Sequence, residues 1–236
     1  ASTARACGCR SSCLITASIL ALGRVGASPL MQRGRLITIE GIDGAGKTTL
    51  AAGLRDALST PERSVQLLRE PGGVAASERI RNVVKDPELT VGPRAEALLY
   101  AAARAQLVEE ALLPLLESGT WVVLDRFVDS SLAYQGAGRG LGIPAIREIN
   151  QFATHGLTPD RTLLLAIDPV LGQARSQHRG EPVDRLERES QSFYARIQSG
   201  YEELAAAEPV RIRTVDATQE PAKVLADALA AVSDLV

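Results

Sequence analysis

The chain has 236 residues, a length that suits one α/β domain or two small ones. Its 45% hydrophobic and 23% charged residues are near the averages for a globular protein. The formal charge is −2 overall, but residues 1–35 hold five arginines and no acidic residue, so the remainder carries −7. An acidic body argues against nonspecific nucleic-acid binding, and no nucleic-acid partner is expected.

From Arg35 onward, apolar runs alternate with amphipathic ones, which predicts strands separated by helices. The predicted strands are Leu36–Glu40, Ser64–Leu68, Trp121–Leu124, Thr162–Ile167 and Val210–Val215. The predicted helices are Thr48–Leu58, Ser77–Val84, Pro93–Glu117 (bent near Pro114), Asp129–Gln135, Ile143–Thr154, Val170–Gln177, Leu186–Ala207 and Pro221–Leu235, with a glycine-rich loop at 136–142. This order predicts a three-layer α/β/α fold around a mostly parallel five-stranded sheet.

Residues 1–34 are expected to lie outside the folded domain, which we place at 35–236. The apolar run Leu14 to Leu22 is too short to span a bilayer, and no membrane partner is expected. A targeting peptide, an upstream-start artefact and an ordered extension are the alternatives. The single methionine, Met31, stands just before the first strand and favours the artefact.

Cysteine usage bears on location. All three cysteines, Cys7, Cys9 and Cys13, lie in the N-terminal extension. The body therefore needs no disulfide, which predicts a reducing, cytoplasmic location. The two histidines, His155 and His178, are far apart and have no cysteine nearby, so a zinc site is not expected.

A glycine-rich loop joins the first strand to the first helix and fits the G-x-x-x-x-G-K-[ST] pattern of a P-loop NTPase-like fold. Its backbone N–H groups and the helix N-terminus can cradle phosphate oxygens. In this pattern Lys47 reaches the β- and γ-phosphates, and the Thr48 hydroxyl ligates Mg²⁺. The predicted ATP-binding residues are Gly41, Ile42, Asp43, Gly44, Ala45, Gly46, Lys47, Thr48 and Thr49.

A second acidic group follows the strand Trp121–Leu124. In P-loop folds a carboxylate at this position, here Asp125, helps to hold hydrated Mg²⁺. The next residue, Arg126, can clamp an oxyanion. The alternative is a surface ion pair, which the nearby phosphate loop makes the weaker interpretation.

The predicted helix Pro93–Glu117 carries apolar residues at spacings of three and four, which predicts one buried stripe. The stripe comprises Leu98, Ala102, Ala105, Val108, Leu112 and Leu116. Tyr100 and Arg104 are adjacent on another face. They could bind a base together, but spacing alone favours a solvated Arg104 beside a half-buried Tyr100.

Together these motifs resemble the thymidylate kinase family of the bacterial kind. The matching segments are Ile39–Thr49, Arg69–Gly73, Tyr100–Arg104, Asp125–Phe127, Ala133–Gly140, Arg179–Glu181, Asp184–Arg185 and Val215–Gln219. The resemblance spans 36–236, and the Arg-Glu-Pro-Gly-Gly segment is more specific than the phosphate loop. It implies ATP-dependent phosphorylation of dTMP to dTDP for dTTP synthesis by a Mg²⁺-requiring homodimer.

The resemblance also implies roles on the dTMP side. Tyr100 would stack on thymine, and Arg104 would hydrogen-bond a thymine carbonyl. Ser131 and Gln135 would read the other edge of the base, and Tyr134 would pack near the deoxyribose. The remaining implied dTMP contacts are Asp43, Glu70, Pro71 and Arg126.

Gly44 stands where one style of the family carries an arginine, so the chain resembles the style whose arginine lies in a helical lid, here about 171–187. Arg175, Arg179 and Arg185 lie in or beside that lid, which is one residue longer than the family pattern. The predicted catalytic residues are Lys47, Asp43, Arg126 and Arg179.

Two alternatives share the phosphate loop. A nucleoside kinase would phosphorylate thymidine, and an ATP-binding regulator would hydrolyse ATP slowly without an acceptor. The acceptor-side motifs argue against both. A GTPase is disfavoured because neither asparagine, Asn82 or Asn150, precedes a lysine as its guanine-binding pattern requires.

Overall fold

Five parallel strands form the centre of the fold in the computed structural model, which describes residues 33–177 and 185–236. The strands are β1 (Leu36–Glu40), β2 (Val65–Arg69), β3 (Trp121–Asp125), β4 (Arg161–Ala166) and β5 (Ile212–Asp216), in the order β2-β3-β1-β4-β5. The predicted parallel five-stranded sheet is therefore confirmed. In its register Ile39 pairs with Asp125, which places the ends of β1 and β3 side by side.

Helices cover both faces of the sheet. They are α1 (Lys47–Leu58), α2 (Ala75–Lys85), α3 (Pro93–Leu107), α4 (Leu113–Glu117), α5 (Val128–Ser131), α6 (Ile143–Ala153), α7 (Pro169–Gln177), α8 (Gln191–Ala207) and α9 (Pro221–Ala231). Successive residues of a strand point to opposite faces. Accordingly, Leu36 belongs to one buried apolar cluster and Ile37 to another. These two clusters separate the three layers of the predicted α/β/α fold.

The long predicted helix is interrupted by a π-helical segment, Val108–Leu112, which lies between α3 and α4 and ends two residues before Pro114. The predicted buried stripe is correct for its C-terminal half, where Val108, Leu112 and Leu116 are buried. It is wrong for the N-terminal half, where Leu98 is 58% exposed. In this half the helix buries a partly polar face that includes Glu96 and Arg104. The spacing of apolar residues therefore predicts the wrong face as buried.

Several other boundaries differ from prediction. A second π-helical segment, Leu132–Gly138, continues α5 into the predicted glycine-rich loop. Helix α8 begins at Gln191 instead of Leu186, because the Ser190 hydroxyl caps it by accepting a hydrogen bond from the N–H of Phe193. Strand β5 begins two residues later than predicted. In the described part of the chain, no helix is long and apolar enough to cross a membrane.

Candidate active site

A cleft of about 820 Å³ opens at the carboxyl ends of β1 and β3. Parallel α/β sheets bind ligands at this edge. All nine residues predicted for the acceptor side line this cleft: Asp43, Glu70, Pro71, Tyr100, Arg104, Arg126, Ser131, Tyr134 and Gln135. Lys47, Thr48 and Asp125 line it too. Elements separated by up to 144 residues therefore form one continuous cleft, from Asp43 to Glu187.

The phosphate loop wraps around the start of α1. Gly44 has φ +78°, and a Cβ there would lie 1.9 Å from the carbonyl oxygen of Gly172, so both conformation and space require glycine. Lys47 is buried and donates to the Ile42 carbonyl oxygen at 2.7 Å. Burial, and secondarily the charge of Arg126, lowers the pKa of Lys47 to about 8. Of the predicted loop residues, Gly41, Ile42 and Ala45 lie beneath the chamber wall instead of lining it.

Thr48 and Asp125 meet at the mouth of the loop, where the Thr48 hydroxyl donates to Asp125 Oδ2 at 2.9 Å. A hydroxyl and a carboxylate are the hard oxygen donors that Mg²⁺ takes in proteins, usually together with phosphate oxygens and water. The parallel register of β1 and β3 brings Asp125 close to the loop that follows β1. The donor set thus fits the predicted metal position.

Arg126 is held at the floor of the cleft with a left-handed backbone, φ +70°. It contacts Asp43 Oδ1 at 2.5 Å and donates to the Gly41 carbonyl oxygen at 2.8 Å. Burial favours the neutral form of Asp43, but the charges of Arg126 and Lys47 outweigh it and hold the Asp43 pKa well below its usual range. Tyr134 also donates to Asp43, at 3.3 Å. The site therefore presents a fixed cation beside the phosphate loop.

Sequence reasoning missed Glu40, the last residue of β1, which is completely buried. It accepts from the N–H of Phe127 at 2.8 Å and from the hydroxyls of Ser130 and Tyr201. Burial, then the nearby Asp129 charge, raises the pKa of Glu40 to about 7. The available signal was a carboxylate at the end of a largely apolar strand. Its bonds fix the turn that carries Arg126.

Arg104 is only 2% exposed, so the interpretation of it as a solvated side chain is wrong. It pairs with Glu70 Oε2 at 2.6 Å and donates to the Phe127 carbonyl oxygen at 2.9 Å. Further hydrogen bonds run to Ser131 and Asn150. Burial raises the pKa of Glu70 despite the opposing charge of Arg104. Tyr100, on the same helix, is half-buried as predicted.

The lid arginines are placed unequally. Arg175 lines the cleft and donates to the Ala217 carbonyl oxygen at 2.8 Å. Arg185 points elsewhere, to Glu96 at 2.7 Å. Arg179 lies outside the described residues, so its predicted catalytic role stays a prediction.

Comparisons with known proteins agree on one family. Its sequence model, described as Thymidylate kinase, matches residues 39–228. A thymidylate kinase of Deinococcus radiodurans is 49% identical over 204 residues, covering 86% of this chain and 98% of the relative. One from Oenococcus oeni is 49% identical over 205 residues, covering 84% of this chain and 95% of the relative. A crystal structure of thymidylate kinase from Ehrlichia chaffeensis superposes with a TM-score of 0.69 at 28% identity, covering 85% of this chain and 99% of that chain.

Proposed function

Because this chain belongs to the thymidylate kinase family and phosphorylates dTMP to dTDP with ATP, we propose that its cleft binds both substrates at once. The resemblance inferred from the motifs, the fold and the class of enzyme are confirmed. One observation supports the placement: six of the nine predicted ATP-binding residues and every predicted dTMP-binding residue line the same cleft. ATP then lies on the loop, and dTMP lies towards Arg104.

Phosphoryl transfer requires alignment and charge stabilisation more than covalent chemistry by the protein. The dTMP phosphate is largely a dianion near neutral pH, so it attacks the γ-phosphorus in line without a strong general base. Lys47, Arg126 and Arg179 stabilise the charge that develops on the transferred group, and Asp43 orients Arg126. Thr48 and Asp125 are the residues that would hold Mg²⁺, which would supply positive charge to neutralise the phosphates of ATP.

On the acceptor side, Tyr100 stacks on thymine, and Tyr134 packs near the deoxyribose. Arg104 and Gln135 face the base edge, with Ser131 hydrogen-bonded to Arg104 at 2.9 Å. The turn at Glu70 and Pro71 lies beside the sugar and phosphate of dTMP. We propose a cytoplasmic enzyme that needs neither nucleic acid nor a membrane, in keeping with an acidic, cysteine-free body.

The assignment is tested by measuring ADP release from MgATP with each nucleoside monophosphate. We expect release to depend on dTMP, with dUMP weaker and thymidine inert. Faster turnover with thymidine would indicate a nucleoside kinase. ADP release that no acceptor changes would indicate an ATP-binding regulator. Either result would contradict the proposed placement of dTMP.

Lys47 gives a pH-dependent prediction. With a pKa of about 8 in the free protein, the ammonium is half-deprotonated near pH 8. The phosphates of ATP favour the charged form, so binding at pH 8 should take up about half a proton. Calorimetric titrations in buffers of different ionisation enthalpy measure this number. Equal uptake by wild type and Lys47→Met would show that another group binds the proton.

We also propose the homodimer that the resemblance implies. Phe152 on α6 is 89% exposed and Leu98 on the adjoining α3 is 58% exposed, a pair of large apolar side chains typical of an interface. We expect the wild type to sediment as a dimer and Phe152→Glu to shift towards the monomer. Val210→Glu, at a 75% exposed position outside these helices, is the control. A monomeric wild type would exclude the proposal.

A further inference from the structure

Glu96, on α3, is completely buried behind the wall of the cleft and collects four hydrogen bonds. Gln135 Nε2 donates to its Oε1 at 2.9 Å, and Arg139 Nε donates to the same oxygen at 3.1 Å. Its Oε2 receives Arg139 Nη2 at 2.9 Å and Arg185 Nη1 at 2.7 Å. Both oxygens of this carboxylate therefore act as acceptors.

The acceptor character of Glu96 determines how the Gln135 amide is turned. An amide side chain carries donors on its nitrogen and only acceptor capacity on its oxygen. If the amide were reversed, two oxygens would face each other at the 2.9 Å that now separates nitrogen from oxygen. Because Gln135 lines the cleft and one N–H of its Nε2 is engaged, Oε1 is the acceptor that Gln135 presents to a ligand, beside its second N–H. Among the described residues, no group donates to that oxygen.

The cluster holds Glu96 firmly. Arg139 is anchored a second time by Glu189, and its guanidinium lies 4.6 Å from the centre of the Phe193 ring. Burial opposes the charge of Arg139, but its bonds to Glu96 and Glu189 outweigh burial and raise its pKa. With cations on both oxygens, Glu96 cannot turn away from Gln135 without leaving them unpaired.

We propose that Glu96 is a positioning residue for pyrimidine specificity, which fixes Gln135 so that an acceptor oxygen meets N3 of the base. Thymine and uracil carry an N–H at N3, whereas cytosine carries a lone pair there. An acceptor therefore binds the first two and repels the third, a discrimination by an unmatched polar group. The inference rests on the proposed function, in which Gln135 faces the base.

The test compares kcat/KM for dTMP with kcat/KM for dCMP. In Glu96→Gln the new amide can donate as well as accept, so the Gln135 amide is free to turn. We expect the dTMP-to-dCMP ratio to fall about tenfold, the scale of one hydrogen bond. Glu189→Gln is the matched control, because it removes a carboxylate from the same Arg139 without touching Gln135. The dTMP-to-dCMP ratio of this control should remain that of the wild type. A general loss of packing would lower kcat/KM for both substrates together and leave their ratio unchanged.

The double variant Glu96→Gln/Gln135→Glu restores the order of donor and acceptor and conserves net charge, so its ratio should return towards the wild type. If Glu96→Gln does not fold, the double variant still decides: a ratio as low as that of Gln135→Ala overturns the inference. A different result is a dTMP-to-dCMP ratio that falls in Gln135→Ala and yet stays at the wild-type value in a folded Glu96→Gln. That result would overturn the role of Glu96 but keep Gln135 at the base. A wild-type ratio in Gln135→Ala overturns the placement of the base as well.

Discussion

Arg126→Ala should lower kcat by about 10²–10³-fold, the scale seen when a preorganised group that stabilises a transition state is removed. Two losses combine in this variant. The developing charge on the phosphoryl group loses a fixed cation, and Asp43 loses the 2.5 Å partner that holds its pKa low. Steady-state kinetics with ATP and dTMP measure the effect, and thermal unfolding shows whether the fold survives.

Arg126→Lys should recover little of this activity. The guanidinium reaches Asp43 through one nitrogen and the Gly41 carbonyl oxygen through the other, which a single ammonium cannot reproduce. Arg55→Ala is the surface control, because Arg55 lies at the surface and pairs with the exposed Asp56. A kcat within threefold of wild type in Arg126→Ala would remove Arg126 from the mechanism.

Arg104→Ala should lower the free energy of unfolding by about 3–5 kcal/mol, the usual result of removing one partner from a buried ion pair. Arg104 and Glu70 are both almost completely buried, and Glu70 Oε1 has no partner within the described residues. The variant therefore removes the cation from Glu70 Oε2 as well, and neither oxygen of this buried carboxylate keeps a charge partner among the described residues. Urea denaturation measures the change.

The companion variant Arg104→Ala/Glu70→Gln separates stability from binding. Removing the stranded charge should recover part of the lost stability, so the two changes should not be additive. Use of dTMP should still fall by about 1–3 kcal/mol, the loss expected for a charged donor, while the KM for ATP stays nearly constant. Additive losses of stability, or equal damage to both substrates, would contradict this division of roles.

The phosphate loop was predictable because its determinants are contiguous. Glycines permit its backbone, and the helix that follows supplies the N-terminus, so eight residues define most of its geometry. The position of Asp125 was predictable for a related reason. Parallel strands bring their carboxyl ends to one edge of the sheet, so a carboxylate ending β3 must lie near the loop that follows β1.

Arg104 could not be placed correctly by periodicity. A spacing of three and four identifies residues that share a helix face, but it does not say which face is buried. The usual assumption that the apolar face is inside failed in α3, where the inward face lines a polar cleft and Leu98 is left outside. The family resemblance, which implies a hydrogen bond from Arg104 to a thymine carbonyl, argued against a solvated side chain.

Glu40 and Glu96 were missed because their partners are distant in sequence. Glu40 meets Tyr201 across 161 residues, and Glu96 meets Arg139 across 43. Each looks locally like an ordinary carboxylate, one at a strand end and one in the first turn of a helix. Their significance arises only when the fold brings uncharged donors or arginines around them.

The π-helical segment between α3 and α4 makes the number of residues in this stretch a functional quantity. Each residue of an α-helix turns the chain by about 100°, so one added or deleted residue misdirects every later side chain unless a wide turn absorbs the difference. Upstream of the segment Arg104 points into the cleft, and downstream of it Leu116 points into the core. Because a π-helical turn holds one residue more than an α-helical turn, deleting the exposed Glu110 should leave an ordinary α-turn with both faces still correctly directed. A single-residue deletion elsewhere in α3 or α4 has no wide turn to absorb it and should not be tolerated.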